Sequence, residues 1–509
     1  MGGGLIQLVA YGIQDIYLTG DPQITFFKMV YKRHTNFSVE PIRQFFSSSI
    51  DFGKSTTCTL ARHGDLITNM FLFIKLPFIP EFKIDKVTKD NIRKFAWVRK
   101  IGYALVKQVD IEIGGQLIDS HYGDWLNIWA ELTNYHEGLA DMIGDIDKLI
   151  VPSNGKQGYG LYIPLEFWFC QHNGLALPIV SLQYSEIKIH VEIRRAEEVY
   201  VIHPSHYIDV KEDVVGLEYL EYIEQEINGF RVGALFDSYD PLLNRMYYTK
   251  IENTETKQFS LNEGFSDPVT GDLSTYPIVG KKSGFSVHPD PNKKGEIKQK
   301  NKLSRELALS DGYLVVDYIY LDTEERVRLA KSSNEFLIEQ LQYPGSKTIS
   351  NNSILSQLSF NNPVKEVVWV SQLNNISNGI LNEKFNYKND YFIDELKGRG
   401  VNIISKATIL LNGHTRFMER EGNYFNWVQP YERHMKAPST GIYVYSFSLY
   451  PEDKQPSGSC NMSKIDDIKI QIEYDGTINS TNTVDLRVYM TNYNVLRIIH
   501  GLGGLAFSN

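Results

Sequence analysis

Cysteine is scarce in this sequence, and long apolar runs are absent from it. The three cysteines Cys58, Cys170 and Cys460 lie far apart and form no CxxC pair, so no zinc or redox motif is readable. An odd, low count fits a reducing compartment better than a secreted protein built on disulfides. No stretch of roughly 18 or more apolar residues occurs, and we therefore expect no membrane-spanning helix.

Basic segments and targeting signals are also missing. The formal net charge is −9, and lysine and arginine form no long run, which disfavours direct binding of nucleic acid by this chain. The N-terminus has no charged region followed by an apolar one, so no signal peptide is predicted. Gly2 matches the start of a myristoylation motif, but Ile6 stands where that motif needs serine or threonine.

Aromatic residues, by contrast, are abundant. The chain has 31 tyrosines and 26 phenylalanines, and aromatic residues make up 12% of it. Aromatic side chains suit the half-buried surface of a β-sheet, and tyrosine is enriched at protein interfaces. The length of 509 residues corresponds to about two to four domains. These features favour a β-rich protein of several domains with many contacts.

An internal repeat is the strongest signal in the sequence. Landmark segments recur in the same order, with 37–40, 67–73, 114–127 and 186–192 matching 336–339, 364–370, 412–426 and 467–473. The offset is 297 to 299 for the first three and 281 for the last. Collinear order at nearly constant offset indicates a duplicated domain, and two long copies do not make a solenoid. Chance similarity between β-rich segments is the alternative interpretation.

The landmarks have the alternation of half-buried strands. Residues 187–193 and 468–474 alternate apolar and polar side chains with a period of two. Gly114-Gly115 and Asn412-Gly413 each follow an alternating segment. Such pairs favour two-residue hairpins, because both central residues need a positive φ.

Helical periodicity is rare. We predict one helix over Thr323–Leu341, where Asp322 can act as the N-terminal cap and acidic residues fill the first turn. A second, short helix is predicted near Trp125–Leu132.

The first copy carries an insertion. The last strands of the two copies, near 314–320 and 486–490, are offset by only about 172. About a hundred extra residues therefore lie in the first copy, between about 197 and 310. Within them, Glu252–Lys302 is polar and contains many glycines and prolines, which predicts a long exposed loop.

Short strands, turn signals and the lack of βαβ alternation predict β-sandwiches or barrels. We assign the all-β class, with two tandem jelly-roll β-barrels, few short helices and long loops. The predicted boundaries are an N-terminal arm at 1–24, a first jelly roll at 25–322 with the loop-rich insertion at about 197–310, and a second jelly roll at 323–509.

No catalytic motif is recognisable in the sequence, and we predict no catalytic residue, no cofactor and no metal site. His203 and His206 lack a third ligand cluster beside them and are interpreted as loop histidines. Jelly rolls of the cupin type bind metal through a His-x-His pattern, which does not occur in this sequence. Cys170 lies near His172, but a buried structural cysteine is the better interpretation.

Glycosylation motifs occur at five positions. The sequon asparagines are Asn36, Asn351, Asn375, Asn461 and Asn479. The motif is short and frequent by chance, so glycans are compatible with the sequence without being assigned to positions.

Four long segments carry a family resemblance. The N-terminal region includes GGLIQLVAYG at Gly3–Gly12 and PQITFFK at Pro22–Lys28. Further anchors are Leu175–Ile179, Asp317–Arg326 and Asn492–Asn509. Together they closely resemble the major capsid proteins of nucleocytoplasmic large DNA viruses, such as mimivirus-like and algal viruses. The likeness spans both termini and both repeats, but not the region from about 197 to 310.

This resemblance implies assembly rather than catalysis. Proteins of this kind have two consecutive jelly rolls, and three copies form a trimeric capsomer with a pseudo-hexagonal outline. Capsomers contact neighbouring capsomers in an icosahedral shell, usually over an internal viral membrane, with minor capsid proteins and a penton protein as further partners. The implied location is the virion, after assembly in the host cytoplasm. The insertion is the candidate for an outward tower, and the arm is the candidate for an inward contact.

Two other functions stay open from the residues alone. One is a glycan-binding or host-attachment protein on jelly-roll domains, and the other is a metal enzyme of the cupin type, which the missing motif argues against. A jelly roll by itself does not name a function, so the prediction of a capsid protein rests on the resemblance.

Overall fold

The computed structural model describes residues 3–10, 12–82, 93–133, 137–204, 206–227, 230–250, 276–290, 303, 306–331, 333–374, 382–387, 402–439, 441–475, 478–480 and 483–507. Within these residues the chain is mainly β-sheet.

The strands of the first half are β1 (Phe37–Gln44), β2 (Ser55–Thr59), β3 (Leu66–Lys75), β4 (Lys94–Trp97), β5 (Val106–Ile113), β6 (Gln116–Tyr122), β7 (Gly160–Pro164), β8 (Ile187–Ile193), β9 (Tyr200–His203), β10 (His206–Asp209), β11 (Tyr222–Ile227), β12 (Phe230–Asp240), β13 (Arg245–Lys250), β14 (Ile278–Gly280), β15 (Ser286–Val287) and β16 (Asp311–Leu321). Those of the second half are β17 (Asn334–Gln342), β18 (Lys347–Ile349), β19 (Ser353–Leu358), β20 (Pro363–Leu373), β21 (Ile404–Leu411), β22 (His414–Thr415), β23 (Arg420–Glu421), β24 (Ile442–Ser446), β25 (Cys460–Asn461), β26 (Ile468–Tyr474), β27 (Val484–Ile499) and β28 (Leu502–Leu505).

The helices are short. The α-helices are Gly3–Val9, Ile16–Thr19, Ile101–Leu105, Gly123–Leu132, Gly138–Ile143, Asp147–Ile150, Thr323–Lys331 and Gln429–Arg433, and a π-helical turn spans Tyr424–Val428. Turns of 3-10 helix lie at Ile13–Asp15, Trp168–Cys170, Asn173–Leu175, Ala196–Glu198 and Met462–Lys464. Among the described residues, none of these helices combines the length and the apolar character that crossing a bilayer requires.

The first half contains two four-stranded antiparallel sheets. One has the order β1-β16-β3-β7, and the other has the order β2-β8-β5-β6. When the eight strands of these two sheets are renumbered 1 to 8 in chain order, the first sheet has the order 1-8-3-6 and the second has the order 2-7-4-5. Two such sheets packed face to face form a jelly roll. Apolar side chains such as Leu72, Ile111 and Ile189 fill the space between them and are fully buried.

The second half repeats this arrangement. Its sheets have the orders β17-β27-β20-β24 and β19-β26-β21-β22, which again read 1-8-3-6 and 2-7-4-5 when the eight main strands are counted. Of the short strands, β18 and β28 pair with β27, β25 pairs with β20, and β23 pairs with β21. A separate apolar cluster, including Trp369 and Ile470, forms the core of this second roll. The predicted double jelly roll is confirmed.

The local patterns explain why these strands form. In β8 and β26 every second residue is buried, as their alternation predicted. Gly114-Gly115 and Asn412-Gly413 have positive φ at both positions, as the two predicted hairpins require. The short helix predicted near Trp125–Leu132 is also confirmed, over Gly123–Leu132.

The predicted helix over Thr323–Leu341 is wrong in its second half. The helix ends at Lys331 and has no buried residue, whereas Asn334–Gln342 forms β17. That strand pairs with β27 over nine residues. Hydrogen bonds across this ladder and burial of Ile338 against the core of the first roll stabilise the extended conformation, although the sequence also fits a helical period.

The insertion contains a sheet, which corrects the prediction of a long exposed loop for residues 276–290. Strands β10 to β15 form one six-stranded sheet with the order β10-β13-β12-β11-β14-β15 and an apolar cluster of its own. Residues 276–290, within the predicted loop, contain β14 and β15, and Ile278 and Val287 are buried there. The rest of that predicted loop, 252–275 and 291–302, lies outside the described residues.

Candidate assembly interface

The two jelly rolls meet through a helix of the first and a sheet of the second. The bridging helix (Gly123–Leu132) follows β6, and at Gly123 a Cβ atom would clash with the carbonyl oxygens of Tyr103 and Val106. One side of the helix places Leu126 in the core of the first roll. The other side is buried against the second roll and consists of Trp125, Ile128, Trp129 and Leu132.

The sheet β17-β27-β20-β24 is therefore covered on both of its faces. Along β20, Val367 and Trp369 belong to the core of the second roll, whereas Val368 and Val370 pack in the cluster around the bridging helix. Ile442, Val444 and Tyr489 lie in that same cluster. A strand buried on both faces reads as a continuous apolar run, which accounts for the segment Val367–Val370 in the middle of β20.

A buried ion pair joins the rolls beside these apolar contacts. The Asp124 carboxylate binds the Arg487 guanidinium, and Arg194 Nη2 lies 3.8 Å from the same carboxylate. Burial disfavours the ionised carboxyl, but the two guanidinium groups outweigh it and hold the pKa of Asp124 below its usual range. The Ser439 backbone N–H of the second roll also donates to Glu131 Oε2 of the bridging helix at 2.9 Å.

A cavity of about 20 Å³ lies at the same boundary. Asp119, His121, Glu166, Glu339 and Lys365 are among the residues that line it. Lys365 Nζ lies 2.7 Å from Glu339 Oε2, and burial raises the pKa of Glu166. A space of this size holds about one water molecule, so it belongs to the packing between the rolls and does not accommodate an organic ligand.

The C-terminal segment makes a further connection between the rolls. Strand β28 pairs with β27 of the second roll. Its Gly503 N–H donates to Ser185 Oγ of the first roll at 3.0 Å, and its Leu505 N–H donates to Gln116 Oε1 at 3.0 Å. The C-terminal strand thus contacts both rolls and connects them into one unit.

His203 lies in a strand, which corrects its interpretation as a loop histidine. It ends β9, is buried, and its Nδ1 lies 2.7 Å from Thr249 Oγ1. Burial lowers the pKa of His203 to about 4, so the ring is neutral near pH 7. His206 begins β10. The Pro-Ser pair between the two histidines is typical of a turn, and the strands on either side are too short to show a period.

Cys170 and His172 each have a structural partner. Cys170 is half-buried, and its Sγ lies 3.4 Å from the Thr68 carbonyl oxygen. Burial raises the pKa of the Cys170 thiol well above its usual range, and a protonated thiol is a poor nucleophile. His172 Nδ1 accepts a hydrogen bond of 2.9 Å from the Gly174 N–H.

Within the ranges that the structure describes, no three His, Cys, Asp or Glu side chains come together as a metal site. Four of the sequon asparagines are exposed, namely Asn36, Asn351, Asn461 and Asn479. The fifth, Asn375, lies outside the described residues. Glycosylation at these positions stays a prediction.

Sequence reasoning did not find the contact between the rolls. The repeat did point to the helix involved, because the segment Gly123–Asn127 at the start of the bridging helix matches Gly422–Asn426 in the second copy. The side of the helix that faces a neighbouring roll, however, becomes visible only once the two rolls are packed together.

Two family models match the chain. One, described as large eukaryotic DNA virus major capsid protein, matches residues 325–504, and the other, described as major capsid protein N-terminus, matches residues 25–224. Probable capsid protein 4 of Acanthamoeba polyphaga mimivirus is 45% identical over 513 aligned positions, covering 100% of both chains. The major capsid protein of Pyramimonas orientalis virus is 35% identical, again over 100% of both chains.

Solved structures show the same fold. PBCV-1 VP54, in a crystal structure fitted into a reconstruction of the virophage Sputnik, matches with a TM-score of 0.62 and 24% identity, over 95% of this chain and 100% of that one. The Faustovirus major capsid protein matches with a TM-score of 0.61 and 12% identity, over 96% and 94% of the two chains. Full-length identity to capsid proteins and the double jelly roll agree, and the chain therefore belongs to the family of large eukaryotic DNA virus major capsid proteins.

Proposed function

We propose that this chain is the building block of an icosahedral capsid shell, in which three copies form a capsomer with a pseudo-hexagonal outline. The observation that carries the proposal is the repeat of one strand order in two rolls that are joined by a buried interface. Three chains with two similar rolls each provide six similar corners. Rotational symmetry closes such a ring.

We infer the organisation along the chain as an arm at 1–24, a first jelly roll at 25–322 and a second jelly roll at 323–509. The apolar side chains of the arm support its role as a contact segment, because they are exposed in the single chain. They include Leu8, Val9, Ile13, Tyr17, Leu18 and Ile24. Exposed apolar surface of this extent is typical of a segment that binds a partner. The insertion is the candidate for an outward tower.

The proposed partners are neighbouring capsomers, minor capsid proteins, a penton protein and the internal viral membrane, and glycans remain compatible with the exposed sequons. We place the protein in the virion and its assembly in the host cytoplasm. The absence of disulfides among Cys58, Cys170 and Cys460 supports a reducing compartment. The role is structural, without catalysis. A glycan-binding or host-attachment role is not favoured, because the relatives matched over the full length are named capsid proteins.

The proposed trimer is tested by native mass spectrometry of the purified full-length chain at micromolar concentration. We expect a dominant species of three chain masses, because obligate interfaces within a capsomer bury large apolar areas, on the order of 2,000 Å² or more. A chain that stays monomeric over the whole micromolar range contradicts the proposal.

A further inference from the structure

The repeat places a second helix where the bridging helix lies in the first roll. The counterpart helix (Tyr424–Arg433) joins the π-helical turn to the following α-helix, and it begins next to Gly422, as the bridging helix begins at Gly123. At Gly422 a Cβ atom would clash with the Ile404 carbonyl oxygen. In both copies a glycine thus lets the helix start directly against a backbone carbonyl group.

The two helices bury the same side and differ on the other side. Phe425 packs in the core of the second roll, as Leu126 packs in the core of the first. Four outward positions correspond at an offset of 299, and they are Trp125, Ile128, Trp129 and Leu132 in the first copy and Tyr424, Trp427, Val428 and Tyr431 in the second.

The first set is buried against the second roll, whereas in the second set Tyr424 is half-buried against the core of its own roll and the other three side chains are exposed. Ile128 and Leu132 are 0% exposed beneath the second roll, whereas Trp427 is 42% and Tyr431 is 84% exposed. Three of the four positions that the bridging helix buries, namely Trp427, Val428 and Tyr431, are therefore exposed to solvent on the counterpart helix.

The corresponding sheets of the two rolls also differ, because the outer face is covered in the second roll and exposed in the first. In the second roll, Val370 of β20 pairs with Ile442 of β24, and both side chains are buried by the bridging helix. The corresponding pair in the first roll is Phe73 of β3 with Tyr162 of β7. There Phe73 is half-buried and Tyr162 is 42% exposed. The outer face of sheet β1-β16-β3-β7 is thus the uncovered equivalent of the face that the bridging helix covers.

This outer face is an ordered aromatic surface. The Phe73 ring stacks on Tyr313 with centroids 4.5 Å apart, and it lies 4.9 Å from the ring of Tyr162. The Arg43 guanidinium lies 4.8 Å from the centroid of the Tyr313 ring, and Phe45 beside it is largely exposed. Tyr313 itself is buried, and it holds the exposed rings around it, among them Phe45 and Tyr162. Exposed aromatic side chains that are held in place suit a preformed contact surface, because little conformational freedom is lost on binding.

We propose that the counterpart helix of one copy packs on the outer face of sheet β1-β16-β3-β7 of a second copy, repeating between chains the contact that the bridging helix makes within one chain. The inference rests on the trimer proposed above. The two surfaces differ from each other, so the contact is head-to-tail, and a head-to-tail contact that closes produces a ring. The closed trimer then contains six similar contacts of a helix on a sheet, three within chains and three between them.

The test uses two full-length variants that each damage one surface. Tyr431→Glu places a charge on the counterpart helix, and Tyr162→Glu places one on the sheet. Each variant alone is expected to be monomeric, with the interface weakened on the order of 100-fold or more, because a charge replaces a central aromatic contact. Leu355→Glu, at an exposed apolar position of β19 in the other sheet of the second roll, is the matched control and stays trimeric. Thermal unfolding shows that all three variants are folded.

Mixing the two monomeric variants in equal amounts gives the sharper result. The intact helix of Tyr162→Glu meets the intact sheet of Tyr431→Glu, so a heterodimer of one copy each is expected, with no larger species. A trimer in either single variant, or a folded mixture that stays monomeric, overturns the proposed pairing while the wild-type trimer stands. A monomeric wild-type chain contradicts the trimer and, with it, the pairing.

Discussion

At the residue scale, the buried ion pair of Asp124 and Arg487 joins the two rolls. Replacing Asp124 by alanine leaves the Arg487 guanidinium buried without its nearest carboxylate. Loss of one partner of a buried pair costs about 3–5 kcal/mol. We expect Asp124→Ala to lower the free energy of unfolding by that amount in urea denaturation followed by intrinsic fluorescence.

A surface pair provides the matched control. Glu335 Oε1 lies 2.7 Å from Arg497 Nε, and both side chains are about half exposed. Water and salt screen such a pair, so Glu335→Ala should cost at most about 1 kcal/mol. Equal losses from Asp124→Ala and Glu335→Ala would show that the pair between the rolls contributes no more than a surface contact.

His434 adds a pH dependence to stability. Its Nε2 lies 3.1 Å from Glu366 Oε2, and its Nδ1 lies 3.0 Å from Glu452 Oε1. Burial opposes protonation, but these two carboxylates outweigh it and raise the pKa of His434 to about 9. Because the unfolded-state pKa is about 6.5, the stabilisation is complete below that pH and is lost as the pH rises towards 9.

We therefore expect the effect of removing His434 on the free energy of unfolding to depend on pH. The stabilisation that His434 provides to the folded state decreases by about 2–3 kcal/mol between pH 6.5 and 9. We expect the difference in unfolding free energy between wild type and His434→Gln to shrink by about this amount over that interval. Chemical denaturation of both proteins at pH 6, 7.5 and 9 measures it. A difference that is constant with pH would mean that His434 does not gain a proton on folding.

At the element scale, the starts of the bridging helix and of the counterpart helix each depend on a glycine with no room for a side chain. Gly422→Ala would drive a Cβ atom against the Ile404 carbonyl oxygen. Overpacking of this kind costs about 1–3 kcal/mol, and occasionally more. We expect the thermal unfolding midpoint of Gly422→Ala to fall by several degrees, since the counterpart helix must shift.

Gly138 is the control for this substitution. It lies in the helix Gly138–Ile143, and a Cβ atom there would meet nothing within 4 Å. Gly138→Ala should be neutral or should stabilise the protein by up to about 1 kcal/mol, because alanine restricts the unfolded chain. Equal effects of Gly422→Ala and Gly138→Ala would contradict the steric account.

Elements with a clear local period were predictable from the sequence. The alternation in β8 and β26 and the Gly-Gly and Asn-Gly turns depend on neighbouring residues only, and the structure has them as predicted. The segment Asn334–Gln342 fits two periods, and its strand is selected by pairing with β27 more than a hundred positions away. Strands β14 and β15 of the insertion were missed because they have only three and two residues and lie in a glycine- and proline-rich segment.

At the scale of the whole molecule, the order and offset of the landmarks predicted two similar domains before any contact was known. The interface between them was not predictable in the same way. It joins the bridging helix to Val368 and Tyr489. The apolar run in β20 indicates a strand buried on both faces, but it does not identify the element that covers the outer face. The repeat nevertheless becomes informative once the fold is known, because the same side of a helix is buried in one copy and exposed in the other.

Electron microscopy of the purified full-length protein shows whether three chains form one capsomer, as proposed. We predict particles with threefold symmetry and a pseudo-hexagonal outline, with six similar corners that each hold one jelly roll. Fields of single two-lobed particles, with no ring at micromolar concentration, would contradict the proposed trimeric capsomer.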